Sequence, residues 1–259
     1  MPTCQQLITV TILFLAAICP QNNTAQPSTD EMAQAIDSLM VIHADDTPQA
    51  CEELFARQAA DMDTLELRRY AQVAERILYT PDCNSQQRAA YRAIVRQLLQ
   101  NGGDEMALLR YRYQYELLIR NNEGEPAENF TFTDTEGNTR QLEQIHADYT
   151  LLIFNDPDCD ECAMLRQAIM NNPALASAIA EKRFQVLAIY PDLPTPEWEE
   201  QMLHYPSTWI KGYAEDVSDL YDVRQLPSTY LLDTNHTVLA RNASVSAMAT
   251  LISQRTPAK

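Results

Sequence analysis

At 259 residues the chain has room for one or two domains, and 46% hydrophobic against 21% charged residues places it among globular proteins. Its formal charge of -17, from 19 basic and 36 acidic residues, excludes the counterion release that drives binding to a phosphate backbone, so nucleic acid is not an expected partner and the excess of carboxylates serves solubility. Only 5 glycines leave few positions that take a positive φ cheaply, which favours a helix-rich chain.

Residues 7–18, Leu-Ile-Thr-Val-Thr-Ile-Leu-Phe-Leu-Ala-Ala-Ile, are apolar, too few to span a bilayer, and sit where a secretory h-region belongs. We read residues 1–25 as a signal peptide cleaved near Asn23-Thr24-Ala25, although no Lys or Arg precedes the apolar run. Leu15-Ala16-Ala17-Ile18-Cys19 resembles a bacterial lipoprotein box, but Ile18 stands where a small residue belongs, so membrane attachment through Cys19 is not expected. Cys4 lies within the signal. Processing leaves Cys51, Cys83, Cys159 and Cys162, an even set in an exported chain, and an oxidising compartment invites their pairing.

From Ser28 to about Arg120 the pattern is helical. Ser28 with Glu31, and Asp63 with Glu66, have capping-box spacing, and Thr47-Pro48 supplies a cap followed by proline at the first helical position. These signals predict helices near 29–43, 48–60 and 64–79. Pro81 ends the third, Asn84 or Ser85 caps a fourth running to about Gln100, and Gly102-Gly103 stops it before Asp104 caps a fifth. The expected unit is a five-helix bundle over 28–121. In its last helix Leu108, Tyr111, Tyr115, Leu118 and Ile119 recur at three- and four-residue steps, a stripe we read as core.

Cys51 falls in the first turn of the second predicted helix and Cys83 just before the fourth. We expect a structural disulfide between them. Closing a loop of roughly 30 residues would add about 3–4 kcal/mol in the chain-entropy account; two buried thiols are the alternative.

Asn121-Asn122-Glu123-Gly124-Glu125-Pro126 is polar, holds both a glycine and a proline, and marks the expected domain boundary. Beyond it come short runs of β-formers: Phe130–Phe132, Thr150–Phe154, Val186–Tyr190, Thr229–Leu232 and Thr237–Ala240. Helical stretches alternate with them, so 126–259 is read as an α/β domain with a central sheet of four or five strands.

After Leu151–Phe154 the chain turns through Asn155-Asp156-Pro157-Asp158, reaches Cys159-Asp160-Glu161-Cys162, and enters an apolar-periodic helix with Met164, Leu165, Ala168 and Ile169. A sulfur at a helix N-terminus meets unpaired N–H groups and the positive end of the dipole, which stabilises thiolate. Cys159 is then the candidate nucleophile toward a partner's disulfide, and Cys162, one turn in, the thiol that resolves the mixed disulfide. A zinc site would need two more ligands, yet there is no second Cys-x-x-Cys, and His43, His146, His204 and His236 are scattered; no metal and no cofactor are expected. An inert disulfide is the remaining alternative.

A second feature follows 227 - 159 = 68 residues later, where Leu226-Pro227-Ser228-Thr229 opens the apolar strand Tyr230-Leu231-Leu232. Proline at a strand's first residue is tolerated but unusual. Strand, turn and Cys-x-x-Cys followed by Tyr221-Asp222-Val223-Arg224-Gln225-Leu226-Pro227-Ser228-Thr229-Tyr230-Leu231-Leu232-Asp233 resembles the thioredoxin superfamily, especially its exported thiol-disulfide oxidoreductases. The resemblance covers about 126–255. It implies a thioredoxin-like fold, a cis Pro227 facing the cysteine pair, a Leu226 backbone that pairs with an extended substrate, and protein thiols or disulfides plus an upstream electron donor as partners. The helical first half joined to such a module, with Asp-Pro-Asp-Cys at its centre, also resembles bacterial envelope proteins whose amino-terminal domain has no assigned function. That implies a periplasmic or cell-envelope location.

The departures carry information too. Asp158 and Glu161 stand where many thioredoxins have an aromatic and a proline, and Ile153 occupies the place of their buried carboxylate, so the usual proton acceptor for Cys162 is missing. Asp192, after the strand ending at Tyr190, is read as an exposed loop carboxylate. Asp156, Asp158, Asp160 and Glu161 surround Cys159 with negative charge, opposing the helix-end effect. If they prevail, thiolate is disfavoured, the dithiol loses stabilisation, and the couple is expected to act as a reductant. A peroxide-reducing site would carry a hydroxyl residue three positions before the cysteine, where Asp156 stands. The competing non-enzymatic reading is a thioredoxin-fold binding or adaptor protein with a weakly reactive centre. Asn22, Asn129, Asn235 and Asn242 begin Asn-x-Ser/Thr sequons, which matter only on a eukaryotic secretory route and are read as chance.

Overall fold

A computed structural model describes residues 26–101 and 103–254. The apolar run 7–18, the cleavage site, Cys4 and Cys19 lie outside the described residues, so the signal-peptide and lipid-anchor readings do too. Among the described residues no helix is long and apolar enough to cross a membrane. The chain divides between Arg112 and Tyr113 into two compact units.

The first unit is helical: α1 (Thr29–Ile42), α2 (Pro48–Ala60), α3 (Thr64–Leu78), α4 (Ser85–Gln100) and the start of α5 (Glu105–Leu118). The capping residues supply acceptors to first-turn N–H groups that have no partner within the helix, although Asp63 and Glu66 form only the Asp63 half of the expected box. Ser28 and Glu31 form a reciprocal box, Thr47 Oγ1 accepts from Ala50 N–H, and Asp63 Oδ1 accepts from Leu65 and Glu66 N–H. Asn84, rather than Ser85, caps α4, in a box with Gln87. The core of this unit gathers Phe55, Leu67, Tyr70, Leu78, Tyr91, Ile94 and Leu98, and the Tyr79 and Tyr91 rings stack at 4.9 Å. Glu52 on α2 joins α4 by ion pairs with Arg92 and Arg96. In α5 the apolar stripe differs from the expected one: Leu108, Tyr111 and Leu118 are buried, but Leu117 joins them while Ile119 is 41% exposed.

The expected Cys51–Cys83 disulfide is corrected by the structure, which joins neither cysteine in a disulfide. Cys51 is buried in the first turn of α2, where its sulfur approaches the His43 carbonyl at 3.9 Å, and Cys83 is half-buried in the turn before α4. Lying at two helix starts does not aim two Cβ–Sγ vectors at one another, which a disulfide requires. Burial, with the nearby Asp46 carboxylate, pushes the Cys51 thiol up, as for an inert core cysteine.

The second unit holds one seven-stranded mixed sheet in the order β2-β1-β5-β4-β3-β6-β7. Its strands are β1 (Thr131–Asp134), β2 (Thr139–Gln141), β3 (Tyr149–Phe154), β4 (Phe184–Tyr190), β5 (Ile210–Tyr213), β6 (Ser228–Asp233) and β7 (Val238–Arg241). Between them run α6 (Asp160–Asn171), α7 (Pro173–Ala180) and α8 (Pro196–Met202), and α9 (Val245–Gln254) closes the described chain. The segment 121–126 is tied into this unit: Gly124 N–H donates to the Val238 carbonyl at 2.8 Å, and Val238 N–H to the Glu125 carbonyl at 2.9 Å.

Two strands beyond the expected four or five appear. β2, Thr-Arg-Gln, has no apolar residue, and β5, Ile-Lys-Gly-Tyr, is broken by a lysine and a glycine. Gly212 is needed there, since a Cβ would lie 2.5 Å from the Thr133 carbonyl oxygen of β1. β3 is the axis of the sheet, buried at all six positions, parallel to β4 on one side and antiparallel to β6 on the other. Its alternation divides the core: Leu151 and Ile153 face a cluster with Ile169, Leu175, Trp198 and Tyr205, while Leu152 and Phe154 face one with Phe130, Phe132, Tyr221 and Tyr230.

Two measurements check these assignments. Alkylation of the unfolded, unreduced protein is expected to modify Cys51 and Cys83 but not Cys159 or Cys162; protection of all four would demonstrate a second disulfide. Leu152→Ala should cost the sheet domain about 2–5 kcal/mol, read by urea unfolding through Trp198 and Trp209, the chain's only tryptophans, both in this unit.

Candidate functional site

β3 and β6 are paired so that Phe154, the last residue of one, lies opposite Ser228, the first of the other. The residues that follow Phe154 and those that precede Ser228 therefore emerge at the same end of the sheet. Cys159 and Leu226–Pro227 meet there although 67 residues separate Cys159 from Leu226: Cys159 Sγ lies 3.5 Å from the Leu226 carbonyl oxygen. The Leu226–Pro227 peptide is cis.

Cys159 is itself the N-cap of α6, with extended backbone at φ -96° and ψ 108°. It is joined to Cys162 in a disulfide with Cα atoms 5.2 Å apart, and Cys162 N–H donates to Cys159 Sγ at 3.0 Å. That hydrogen bond and the helix end both favour negative charge on Cys159 once the pair is reduced. In the disulfide, Sγ carries no proton, so the approach to Leu226 is a van der Waals contact; in the dithiol the same geometry lets an S–H donate to that carbonyl. Cys162 is buried and Cys159 half-buried, the asymmetry expected of an attacking and a resolving sulfur.

Carboxylates crowd the same end. Asp156 Oδ1 accepts from Asp158 N–H at 2.8 Å, folding the turn before Cys159, and Asp192 Oδ1 accepts from Leu193 N–H at 2.7 Å. Asp192 is exposed and occupied with its own loop, as the sequence suggests. Burial together with Asp156, Asp192, Asp158 and Glu197 pushes the Tyr190 phenol up, so these four carboxylates act on one ring at the end of β4. Upstream of Pro227, Arg224 is held by a bidentate pair with Asp222 at 2.7 and 2.8 Å.

Three further residues at this end were not singled out from the sequence. Asn155, the residue after β3, is buried, and its Nδ2 donates to Tyr205 Oη at 2.9 Å; the Arg166 guanidinium lies 4.3 Å from the centre of the Tyr205 ring. Strand alternation could have found Asn155, which shares a face with Ile153. Nothing local marks Tyr205, 50 residues away in the chain.

Residues 124–241 match the AhpC/TSA family. Among solved structures, a thioredoxin-like protein from Bacteroides caccae is 26% identical, over 88% of this chain and 83% of that one, with a TM-score of 0.72. The C-terminal domain of an uncharacterized protein from Bacteroides fragilis is 35% identical, over 51% of this chain and 98% of that one, with a TM-score of 0.49. The thioredoxin domain of a thiol-disulfide oxidoreductase from Bacteroides vulgatus is 20% identical, over 51% and 96%, with a TM-score of 0.45. No curated protein matches the sequence.

The carboxylates make a directional expectation. The double change Asp156→Asn with Asp158→Asn removes two negative charges flanking Cys159 while keeping the acceptor of the turn. The pH midpoint for alkylation of Cys159 in the reduced protein should fall by about half to one unit; an unchanged or higher midpoint would show that these groups do not act on the sulfur.

Proposed function

We propose that this chain, whose residues 124–241 match the AhpC/TSA family and form a thioredoxin-like domain, is an exported thiol-disulfide oxidoreductase that exchanges disulfides with protein substrates. The observation that carries the reading is the contact of Cys159, at the start of α6, with the Leu226 carbonyl beside Pro227. On this reading Cys159 is the nucleophilic sulfur, and the Leu226 carbonyl beside it is a backbone acceptor for an extended substrate.

In the reductive direction the Cys159 thiolate attacks a substrate disulfide, forming a Cys159–substrate S–S bond and releasing one substrate sulfur, which takes up a proton. Cys162 then loses its proton and attacks Cys159. The Cys159–Cys162 bond forms, the second substrate sulfur leaves and is protonated, and two electrons have passed to the substrate. An upstream dithiol donor would return the pair to the reduced state. The acidic surroundings of Cys159 support the reducing direction, because they disfavour the thiolate that stabilises a reduced pair.

Peroxide reduction by a single cysteine is less well supported, since Asp156 occupies the place of the hydroxyl residue such sites carry. Periplasmic or envelope location follows from the signal-like run at 7–18 and is part of the same proposal.

Insulin reduction with dithiothreitol as donor should be accelerated by the protein and fall to the uncatalysed rate in Cys159→Ser. Equal rates for both would leave a binding or adaptor role on the same fold. Equilibration with glutathione should give a potential well below about -120 mV, the value of a dedicated disulfide donor; a potential that oxidising would reverse the proposed direction.

A further inference from the structure

The proton acceptor that many thioredoxins carry beneath the second cysteine has no counterpart at Ile153, which is packed in the core. The polar group on this face of β3 comes two residues later. Asn155 continues the alternation of Leu151 and Ile153, and its N–H donates to the Ile189 carbonyl at 3.0 Å, extending the ladder toward β4 by one bond. It is 1% exposed. Its Nδ2 meets Tyr205 Oη, while its Oδ1 is buried without a partner. Turning the amide over would let Tyr205 O–H donate to Oδ1 but would leave Nδ2 unpaired in the same place. A packing role alone would be filled better by an apolar side chain, which has no such atom to leave unsatisfied.

Tyr205 is 7% exposed and packs in the same cluster as Ile153 and Ile169. Burial pushes its phenol up, and the Arg166 guanidinium pulls it part of the way back against Asp156, so the ring is a neutral seat for a cation. Arg166 is the only basic residue of α6 and follows Cys162 by four positions, one helical turn. Earlier in the same stretch of chain Asp156, Asp158, Asp160 and Glu161 are all acidic.

We propose that Arg166 is a positioning residue for the redox centre: seated on Tyr205, which Asn155 anchors to the end of β3, it holds a positive charge one turn from Cys162 and favours the thiolate that resolves the mixed disulfide. This deepens the oxidoreductase reading and rests on it. Cys162 is buried, so its thiolate is costly, and no carboxylate at position 153 draws off its proton; a fixed cation lowers that cost and lets the proton leave to solvent. The bonds made and broken are those of the exchange already described.

The test uses the full mature chain in two measurements. In a Cys159→Ser background, the pH midpoint for alkylation of Cys162, read by mass on its own peptide, should rise by about half a unit or more in Arg166→Gln, roughly a threefold loss of thiolate at a given pH. Arg166→Lys should stay near the parent, and Tyr205→Phe, which keeps the ring but loses the bond to Asn155, should fall between. With both cysteines present, the mixed disulfide formed with glutathione should live about threefold longer in Arg166→Gln, in proportion to the lost thiolate. A midpoint in Arg166→Gln within 0.2 of the parent, less than about a twofold change in thiolate, overturns the proposal whether or not thermal stability changes. If the wild-type protein forms no mixed disulfide, the oxidoreductase reading falls, and the Cys162 midpoint still decides the role of Arg166.

Discussion

The arrangement of this protein's site depends on the burial of β3. A six-residue strand covered on both faces has its register set on either side, because a slip by one residue would exchange the two apolar clusters that its alternating side chains enter. Parallel pairing with β4 and antiparallel pairing with β6 then follow, and with them the end of the sheet at which 155–159, 191–194 and 226–227 all emerge. Cysteine pair, acidic loop and proline are neighbours because three strands are in register.

That placement gives the centre opposed electrostatic influences. The N-terminus of α6 and the N–H of Cys162 favour negative charge on Cys159, while carboxylates at 156 and 158, in the turn just before it, are like charges that would oppose it. The balance matters because every unit by which a thiol pKa moves is about 1.4 kcal/mol of difference between the two protonation states. A centre of this kind can be tuned by single charges, the role proposed for Arg166, rather than by rebuilding the fold.

Much of the fold was legible in the sequence. Helix starts in the first unit were readable since capping is local: Ser28 and Glu31 must lie three residues apart to satisfy one another's N–H groups, and no distant residue is needed. The strand, turn, Cys-x-x-Cys and helix were readable for the same reason. β2 and β5 were not, as edge and near-edge strands with polar residues have no apolar run and form only when a partner strand offers its N–H and carbonyl groups. The Cys51–Cys83 disulfide was expected from cysteine count and position along two helices, but pairing depends on the direction of Cβ–Sγ vectors, which neither spacing nor parity contains.

By itself, then, the sequence determined the helices of the first unit, five of the seven strands, the class of fold and the identity of the two sulfurs at a helix start, because these follow from short-range periodicity, capping and the spacing of two cysteines one turn apart. Tertiary structure alone decided what stands around those sulfurs. The Leu226 carbonyl reaches Cys159 through the β3–β6 register, Asn155 meets Tyr205 across 50 residues, and Arg166 comes to rest on that ring. Such contacts are made between side chains that share no local signal, so only the closing of the sheet and the packing of helices against it bring them together.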